Sequence, residues 1–254
     1  MKTVYISIIS HHQEDMIIEN FTNFATQVGD YKVVLCFIDN TGAKSLESFA
    51  KKNNNMYFYD GITRGFGANH NKAFELCSPS SDDIFIVCNP DIIIDPQQLG
   101  AMVISFSLDT ADMGNVKCYY DKEKSVLSPV DRYFPCFLNF VFSIVLGKRY
   151  HYGSNEENPS PEWISGEFIL FRPNAYRKLG GFDEDYFMYV EDVDLSYRAR
   201  KLGLKISHDP RYYIIHETQM ASRSITSKSF QMHLQSVFKF LWKNKRFCFI
   251  NIKK

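Results

Sequence analysis

The segment Ile84-Phe85-Ile86-Val87-Cys88-Asn89-Pro90-Asp91 joins an uninterrupted apolar run to a polar turn. Five consecutive apolar residues are typical of a strand that is buried on both faces, as in parallel sheets covered by helices. Proline has a fixed backbone angle and no amide hydrogen, so Pro90 ends the strand and directs Asp91 outward at its carboxyl end. The segment predicts a central strand of an α/β domain that carries a carboxylate at the sheet edge.

The chain before this segment alternates apolar runs with helical patterns. The predicted strands are Val4–Ser10, Lys32–Ile38, Met56–Tyr59 and Ile84–Cys88, and the predicted helices lie near Asp15–Val28, Ala43–Asn53 and Ala68–Cys77. This β-α-β repetition predicts a Rossmann-like, mostly parallel central sheet flanked by helices. Ligands of such sheets bind beyond the carboxyl ends of the strands.

The pattern after residue 95 is less regular. It predicts helices near Pro96–Phe106 and at Val193–Leu202, and strands at Met113–Tyr119, Glu167–Phe171, Lys205–Ser207 and Tyr212–His216. We expect one catalytic domain over residues 1–217, with a nucleotide-sugar-binding half at about 1–110 and an acceptor half at about 111–217. Residues 218–254 would form a C-terminal extension.

Composition excludes several classes of protein. Of the 254 residues, 45% are hydrophobic, which suffices for a packed core and argues against disorder. The six cysteines form no C-x-x-C pair, so we expect buried free thiols instead of a zinc site or a disulfide framework. The apolar run at the start is too short for a signal peptide, which predicts a cytoplasmic protein.

Two regions suggest contact with a membrane surface. Residues 134–146 are uncharged over thirteen positions, too few to span a bilayer, so they predict either an interfacial helix or a buried core helix. No acidic residue follows Glu217, and the cations there are interleaved with aromatic and aliphatic residues. We expect peripheral attachment to the inner face of the cell membrane, and no nucleic-acid binding because no recognised module is present.

Polar residues at two strand ends are candidates for binding a nucleotide sugar. Asp39 follows the second strand, where it could accept a hydrogen bond from a base or ribose or simply cap a turn. The segment Arg64-Gly65-Phe66-Gly67-Ala68-Asn69-His70-Asn71 is only a weak dinucleotide fingerprint. We expect Gly65 and Gly67 to let the backbone approach the nucleotide sugar, with Asn71 facing it.

Asp91 is the candidate metal ligand. One carboxylate together with the oxygens of a diphosphate satisfies Mg²⁺ or Mn²⁺. His216, which follows an apolar strand, could supply an imidazole to the same cation, although a histidine at a strand end is often structural. The alternative for Asp91 is an ordinary Asx turn.

The acidic cluster Glu191-Asp192-Val193-Asp194 supplies the candidate catalytic base. Carboxylates at a helix start are stabilised by the helix dipole, so capping alone could explain them. The aromatic residues before the cluster indicate the walls of a sugar pocket instead, and we assign Asp192 as the base. Glu191 or Asp194 would orient the acceptor or bind Arg198.

A tryptophan and a glycine precede the predicted strand Glu167–Phe171. Trp163 could stack on an acceptor ring, or it could be a core residue. Gly166 permits close approach of the backbone. Both are candidate acceptor-binding residues.

These motifs in this order resemble the inverting GT-A glycosyltransferases of family two, and among them the bacterial rhamnosyltransferases of O-antigen and cell-wall assembly. The resemblance covers residues 4–233. It implies nucleotide contact by Asp39, metal binding at Asn89-Pro90-Asp91 in place of D-x-D, and a base at Asp192. It also implies donor contacts from His11, Arg64 and Asn89, where His11-His12 replaces a more usual tyrosine-asparagine.

The resemblance implies an enzyme that uses Mg²⁺ or Mn²⁺ to transfer a sugar, most specifically L-rhamnose from dTDP-L-rhamnose, with inversion. The expected acceptor is a polyprenyl-diphosphate-linked saccharide in lipopolysaccharide (O-antigen) biosynthesis. The alternatives are the same fold with a UDP-sugar such as UDP-galactose or UDP-N-acetylglucosamine, or a non-catalytic subunit that binds a nucleotide sugar.

Overall fold

The computed structural model describes residues 1–130, 132–136, 161–217 and 228–245. Within these residues the chain forms a mixed α/β fold around one sheet. The strands are β1 (Lys2–Ser10), β2 (Gln27–Val28), β3 (Tyr31–Asp39), β4 (Met56–Phe58), β5 (Ile84–Cys88), β6 (Ile92–Ile93), β7 (Met113–Tyr119), β8 (Phe168–Phe171) and β9 (Ile206–His216).

Helices cover this sheet. They are α1 (Glu14–Phe21), α2 (Lys44–Lys52), α3 (Phe66–Cys77), α4 (Pro96–Leu108), α5 (Pro173–Leu179), α6 (Glu191–Lys201) and α7 (Lys228–Lys243). The start of α4 shows how the sequence sets a boundary: Asp95 accepts hydrogen bonds from the amides of Gln97 and Gln98, and Pro96 occupies the first helical position.

The strands are ordered β2-β3-β1-β5-β8-β7-β9-β6, and β4 also pairs with β3, in parallel along Cys36–Ile38. β1 runs parallel to both β3 and β5, and β7 runs parallel to β9. β8 lies antiparallel between β5 and β7. The expected parallel arrangement is confirmed for β1, β3, β4 and β5. The antiparallel pairings of β2, β6 and β8 make the whole sheet mixed.

The core lies on both faces of the sheet, as the continuous apolar strands predict. Every residue of β5 is buried, and β3 is buried at all positions except Lys32. The cysteines that the structure describes are buried free thiols, as expected, at Cys36, Cys77, Cys88, Cys118 and Cys136.

Several predicted boundaries need correction. The first helix ends at Phe21 rather than near Val28, because the chain turns there and residues 27–28 pair with β3. The two short strands predicted after residue 204 are one continuous strand, β9, with an irregularity where it pairs with β7. Helices α5 and α7 and the short strand β6 were not predicted.

The C-terminal helix α7 packs against the rest of the fold. Val237, Phe240 and Leu241 are buried in a cluster with Phe134, Trp163, Tyr186, Val190 and Val193. Phe238 and Trp242 are exposed. Part of the aromatic content that suggested a membrane contact therefore belongs to the core, because α7 buries one face against this cluster.

None of the helices among the described residues is both long and apolar enough to cross a membrane. Residues 137–146 of the uncharged segment and residues 246–254 of the tail lie outside the described part of the chain.

Candidate active site

The ends of two antiparallel strands bring the two acidic motifs together. Because β8 runs opposite to β5, the residues before β8 lie beside those after β5. The amide of Asn89 donates to the carbonyl of Glu167 at 2.9 Å. One residue earlier, the amide of Gly166 donates to Oδ2 of Asp192 at 3.0 Å. A short chain of contacts thus joins the turn that carries Asp91 to the start of α6.

Asp91 and His216 meet on the other side of this turn. β6 pairs with the end of β9 and places Ile92 opposite His216. Nε2 of His216 lies 3.0 Å from Oδ2 of Asp91. Burial disfavours the charged imidazole, but the hydrogen bond and charge of Asp91 outweigh it, so the pKa of His216 is raised.

The oxygens around this pair suit a hard divalent cation. Oδ1 of Asp91 and Oδ1 of Asn89 are both buried and have no hydrogen-bond partner within the described structure. Carboxylate and amide oxygens are ligands of Mg²⁺ and Mn²⁺, and a buried oxygen without a donor is costly unless something else satisfies it. The described residues contain no cluster of three or more His, Cys, Asp or Glu side chains placed to hold a metal.

Asp192 is held at the start of α6 by two backbone amides. Gly166 binds Oδ2, and the amide of Val193 donates to Oδ1 at 2.8 Å. The two residues before α6 are strained: Tyr189 and Val190 have φ of 69° and 70°. A β-branched residue rarely adopts this conformation, which costs about 1–3 kcal/mol and is common at functional sites.

Burial raises the proton affinities of two neighbouring carboxyl groups, Glu191 and Asp192. Burial and the charge of Asp192 raise the pKa of Glu191 to about 8, and Oε2 of Glu191 is buried without a hydrogen-bond partner. Burial also raises the pKa of Asp192, but the Gly166 amide and the charge of Arg132 oppose this effect. Carboxyl groups whose pKa values are shifted by burial and by a neighbouring charge are typical of acid-base sites.

Asp194 is buried and stabilises the loop before α6. Its Oδ2 accepts from Nε of Arg198 at 2.7 Å, and its Oδ1 lies 3.4 Å from the hydroxyl of Tyr186. Arg198 also donates to the carbonyls of Leu179 and Gly181. The sequence predicted that Asp194 would either orient the acceptor or bind Arg198. The structure shows the contact with Arg198.

Comparison of the whole chain with known proteins assigns its family. It is 30% identical over 245 residues to the rhamnosyltransferase WbbL of Escherichia coli K12, covering 94% of this chain and 92% of that protein. The chain belongs to the WbbL family of rhamnosyltransferases. A second rhamnosyltransferase, the N-acetylglucosaminyl-diphospho-decaprenol L-rhamnosyltransferase of Mycobacterium tuberculosis, is 30% identical over 173 residues, which cover 64% of this chain and 56% of that protein. A scan of protein-family models finds no match.

Solved structures confirm the GT-A fold of this rhamnosyltransferase. The mannosyltransferase PcManGT from Pyrobaculum calidifontis, solved with GDP-Man and Mn²⁺, aligns at a TM-score of 0.60 and 18% identity over 96% of this chain and 64% of its own. Glucosyl-3-phosphoglycerate synthase from Mycobacterium tuberculosis, in complex with Mn²⁺, UDP-glucose and phosphoglyceric acid, aligns at 0.59 and 13% identity over 95% and 79%. Both likenesses concern the fold.

In this rhamnosyltransferase the glycine-rich segment packs against its own chain. A Cβ on Gly65 would lie 2.4 Å from the carbonyl oxygen of Phe187, and one on Gly67 would lie 2.6 Å from Cβ of Phe182. The amide of Phe66 donates to the Phe187 carbonyl at 2.9 Å. The close approach expected of these glycines is thus made to the loop before α6. Their contact with a nucleotide sugar stays a prediction.

Two other donor candidates in this segment have protein partners. The side chain of Asn71 binds both the amide and the carbonyl of Phe182, and also Glu184 and the hydroxyl of Tyr176. The guanidinium of Arg64 binds Asp60. The sequence suggested none of these hydrogen bonds of Asn71, because the partner residues lie more than a hundred positions away along the chain.

Asp39 is buried at the end of β3 and organises the following turn. Its carboxylate accepts from the amides of Thr41 and Ala43 and from the hydroxyl of Tyr57 at 3.0 Å. Burial would raise the pKa of Asp39, but these hydrogen bonds outweigh it and lower the pKa. The turn-capping alternative is therefore present, and nucleotide contact stays a prediction. His11 is exposed after β1, beside His12, with ring centroids 5.1 Å apart.

Trp163 is 7% exposed, and its indole nitrogen donates to the carbonyl of Tyr133 at 3.0 Å. The guanidinium carbon of Arg132 lies 4.7 Å from the ring centroid. This burial favours the core alternative over stacking on an acceptor, which stays a prediction. Gly166 is close to Asp192, because a Cβ there would lie 3.3 Å from Cβ of that residue.

Sequence reasoning missed Arg132 and Glu167. Glu167 directly follows the glycine whose amide binds Asp192, but its position at a predicted strand start gave it a structural interpretation. Arg132 lies just before the uncharged segment 134–146, which predicted an interfacial or a core helix and no part of the site. Only the folded chain places Arg132 within 3.9 Å of Glu167.

Proposed function

We propose that the protein transfers an L-rhamnosyl group from dTDP-L-rhamnose, with inversion, to a hydroxyl of a polyprenyl-diphosphate-linked saccharide in O-antigen assembly. The observation that carries the proposal is the junction of the Asn89-Pro90-Asp91 turn with Asp192 through Glu167 and Gly166. The junction supports the proposal because a displacement at a sugar carbon requires a charge-stabilising group and a base close together, and we assign these roles to Asp91 and Asp192.

The two relatives support the choice of donor and acceptor. Both are named rhamnosyltransferases, and the mycobacterial protein is named for a decaprenol-diphosphate-linked N-acetylglucosamine. A nucleoside-diphosphate donor agrees with the GT-A fold, because the two similar structures were solved with GDP-mannose or UDP-glucose.

Asp192 is the proposed base. As the acceptor hydroxyl attacks the anomeric carbon, its proton passes to a carboxylate oxygen of Asp192, and the bond from that carbon to the diphosphate oxygen breaks. Attack from the face opposite the leaving group inverts the anomeric centre. The amides of Gly166 and Val193 orient the carboxylate, and the raised pKa of Asp192 makes it a stronger base than an exposed aspartate.

Asp91, Asn89 and His216 are the proposed holders of Mg²⁺ or Mn²⁺. Such a cation would neutralise the negative charge that develops on the departing diphosphate. Asp91 and Asn89 each have a buried oxygen available for it, and His216 orients Asp91 through its hydrogen bond.

Transfer assays with a panel of donors test this proposal. The purified protein would be incubated with a short polyprenyl-diphosphate-linked N-acetylglucosamine and either dTDP-L-rhamnose, UDP-galactose or UDP-N-acetylglucosamine, with Mn²⁺ or a chelator. We expect product only with dTDP-L-rhamnose, and NMR should show an inverted anomeric centre. Transfer from a UDP-sugar would contradict the donor assignment, and tight nucleotide binding without transfer from any donor would indicate a non-catalytic subunit.

We also propose that the protein attaches peripherally to the cytoplasmic face of the membrane. Phe238 and Trp242 are exposed on α7, and Lys245 follows them. A lipid-linked acceptor would be reached from such a surface. Sedimentation with vesicles containing anionic lipid should fall when Phe238 and Trp242 are both changed to Ser, while DNA binding should be absent in both proteins. Equal sedimentation of the two proteins would contradict attachment through α7.

A further inference from the structure

Arg132 and Glu167 form a charged pair inside the acceptor half. Nη2 of Arg132 lies 3.9 Å from Oε1 of Glu167, and their side chains are only 8% and 12% exposed. Removing two charges from water is costly and needs further hydrogen bonds to compensate. A buried pair beside a catalytic centre therefore calls for a functional explanation.

Arg132 is held rigidly by its surroundings. Its Nε donates to the carbonyl of Pro129 at 2.7 Å, and its Nη2 donates to Oγ of Ser128 at 2.8 Å. Its guanidinium lies over the ring of Trp163. These contacts fix the cation in one place, which gives Trp163 a role in supporting the site.

Glu167 links this cation to both acidic motifs. Its backbone carbonyl accepts from Asn89, which lies two residues before Asp91. Oε2 of its carboxylate accepts from the hydroxyl of Ser165. The residue before it, Gly166, donates to the carboxylate of Asp192. The pair therefore lies one residue away from a hydrogen bond that holds the candidate base.

The two charges act on Asp192 in opposite directions. The cation of Arg132 favours the ionised carboxylate and lowers its pKa, while the anion of Glu167 raises it. Burial is the larger influence and favours the protonated acid, which could not accept a proton. The Gly166 amide, the fixed cation of Arg132 and the Val193 amide counteract that burial. The other acid beside Asp192 is Glu191, whose own pKa is raised to about 8, so it adds no charge at neutral pH.

We propose that Arg132 is a positioning residue that keeps Asp192 ionised at neutral pH, and that Glu167 holds Arg132 in place and moderates its effect. This inference rests on the proposed role of Asp192 as base. Neither residue needs to touch the substrate, because both act through the proton affinity of Asp192.

The pH dependence of kcat/KM tests the proposal in the full-length protein. The acid limb, where activity falls as Asp192 becomes protonated, should move to higher pH by about one unit in Arg132→Gln. It should move to lower pH in Glu167→Gln and lie near the parent position in Arg132→Lys, which keeps the charge. Unchanged limbs, or movement in the same direction in both Gln variants, would overturn the proposal.

Two control experiments test whether the variants fold and whether Asp192 is the base. Thermal unfolding of each variant, and of the double variant Arg132→Gln/Glu167→Gln that leaves no unpaired charge, separates a loss of structure from an altered pH profile. We expect the limb of the double variant to lie between those of the single variants. If Asp192→Asn is inactive and the limb of the double variant matches that of either single variant, the inference is wrong but the proposed function stands. If Asp192→Asn is fully active, the base assignment itself is wrong.

Discussion

In this rhamnosyltransferase, residues 1–110 form an N-terminal half of the fold, and the described residues after 110 form a C-terminal half. The two halves are stabilised by contacts of different sequence range. In the first, β1 pairs in parallel with β3 over nine residue pairs, and the strands are separated by single helices. In the second, β8 lies between β5 and β7, and α7 packs against the loop before α6. The N-terminal half is therefore built from a local β-α-β repeat. The C-terminal half is built from segments that lie far apart in the sequence.

The candidate site takes residues from both halves of the fold. The turn after β5 comes from the regular half, and Asp192 comes from the half built by distant contacts. Ser236 of α7 donates to the carbonyl of Met188 at 2.8 Å, and Lys243 lies 2.6 Å from both Asp183 and Asp185. The C-terminal helix thus supports the strained loop that precedes the candidate base.

The largest effect is expected from Asp192→Asn. An amide cannot take the acceptor proton, so kcat should fall by about 10²–10⁴-fold while the dissociation constant of dTDP-L-rhamnose stays nearly unchanged. Steady-state kinetics and calorimetric titration measure the two quantities. Asp82→Asn, at an exposed position, is the matched control and should keep parent activity. A large loss of donor binding in Asp192→Asn would contradict the assignment of donor binding to the N-terminal half and of proton transfer to Asp192.

Phe240→Ala should show that the stability of the C-terminal half depends on α7. Phe240 is fully buried, so its truncation should lower the free energy of unfolding by about 3–5 kcal/mol. Trp242→Ala, on the same helix but 77% exposed, should cost about 0.5 kcal/mol. Urea unfolding compares them, and equal losses in the two variants would contradict the observed packing of α7.

Glu191→Gln should change how stability depends on pH. The folded pKa of Glu191 is raised to about 8, so the native protein keeps this proton after the unfolded chain has lost it, and stability falls as pH rises from about 4.5 to 8. The variant has no carboxyl group at this position and so does not lose this stability. From pH 5 to pH 9, the free energy of unfolding of the variant should rise relative to that of the parent by on the order of 2–4 kcal/mol. Thermal unfolding at both values measures it. A constant difference would indicate that Glu191 is ionised at low pH.

The smallest effect is expected at a feature set by local sequence. Asp95→Ala removes the side chain that caps α4 and should lower the free energy of unfolding by about 1 kcal/mol. Asp95→Ser should retain most of the stability because serine also caps helices. Urea unfolding distinguishes the two, and a loss several times larger would show that Asp95 supports more than its own helix.

Much of the regular half could be predicted because its signals are local. The strand Ile84–Cys88 has the predicted bounds, and the helix start after Asp95 follows from Pro96. Helix α7 was missed because its apolar residues were interpreted as lipid-facing. The partners of Asn71 were missed because hydrogen bonds across more than a hundred residues leave no periodic pattern.

The sequence by itself determined the alternation of strands and helices and the presence of carboxylates at Asp91 and Asp192, because hydrophobic periodicity and turn residues act over a few positions. Only the tertiary structure decided that Asn89 lies against Glu167, that Gly166 binds Asp192 and that Arg132 is buried near Glu167. The physical reason is that strand pairing, burial and the electrostatic field at a carboxyl group depend on neighbours in space, and distant segments become neighbours only when the chain folds.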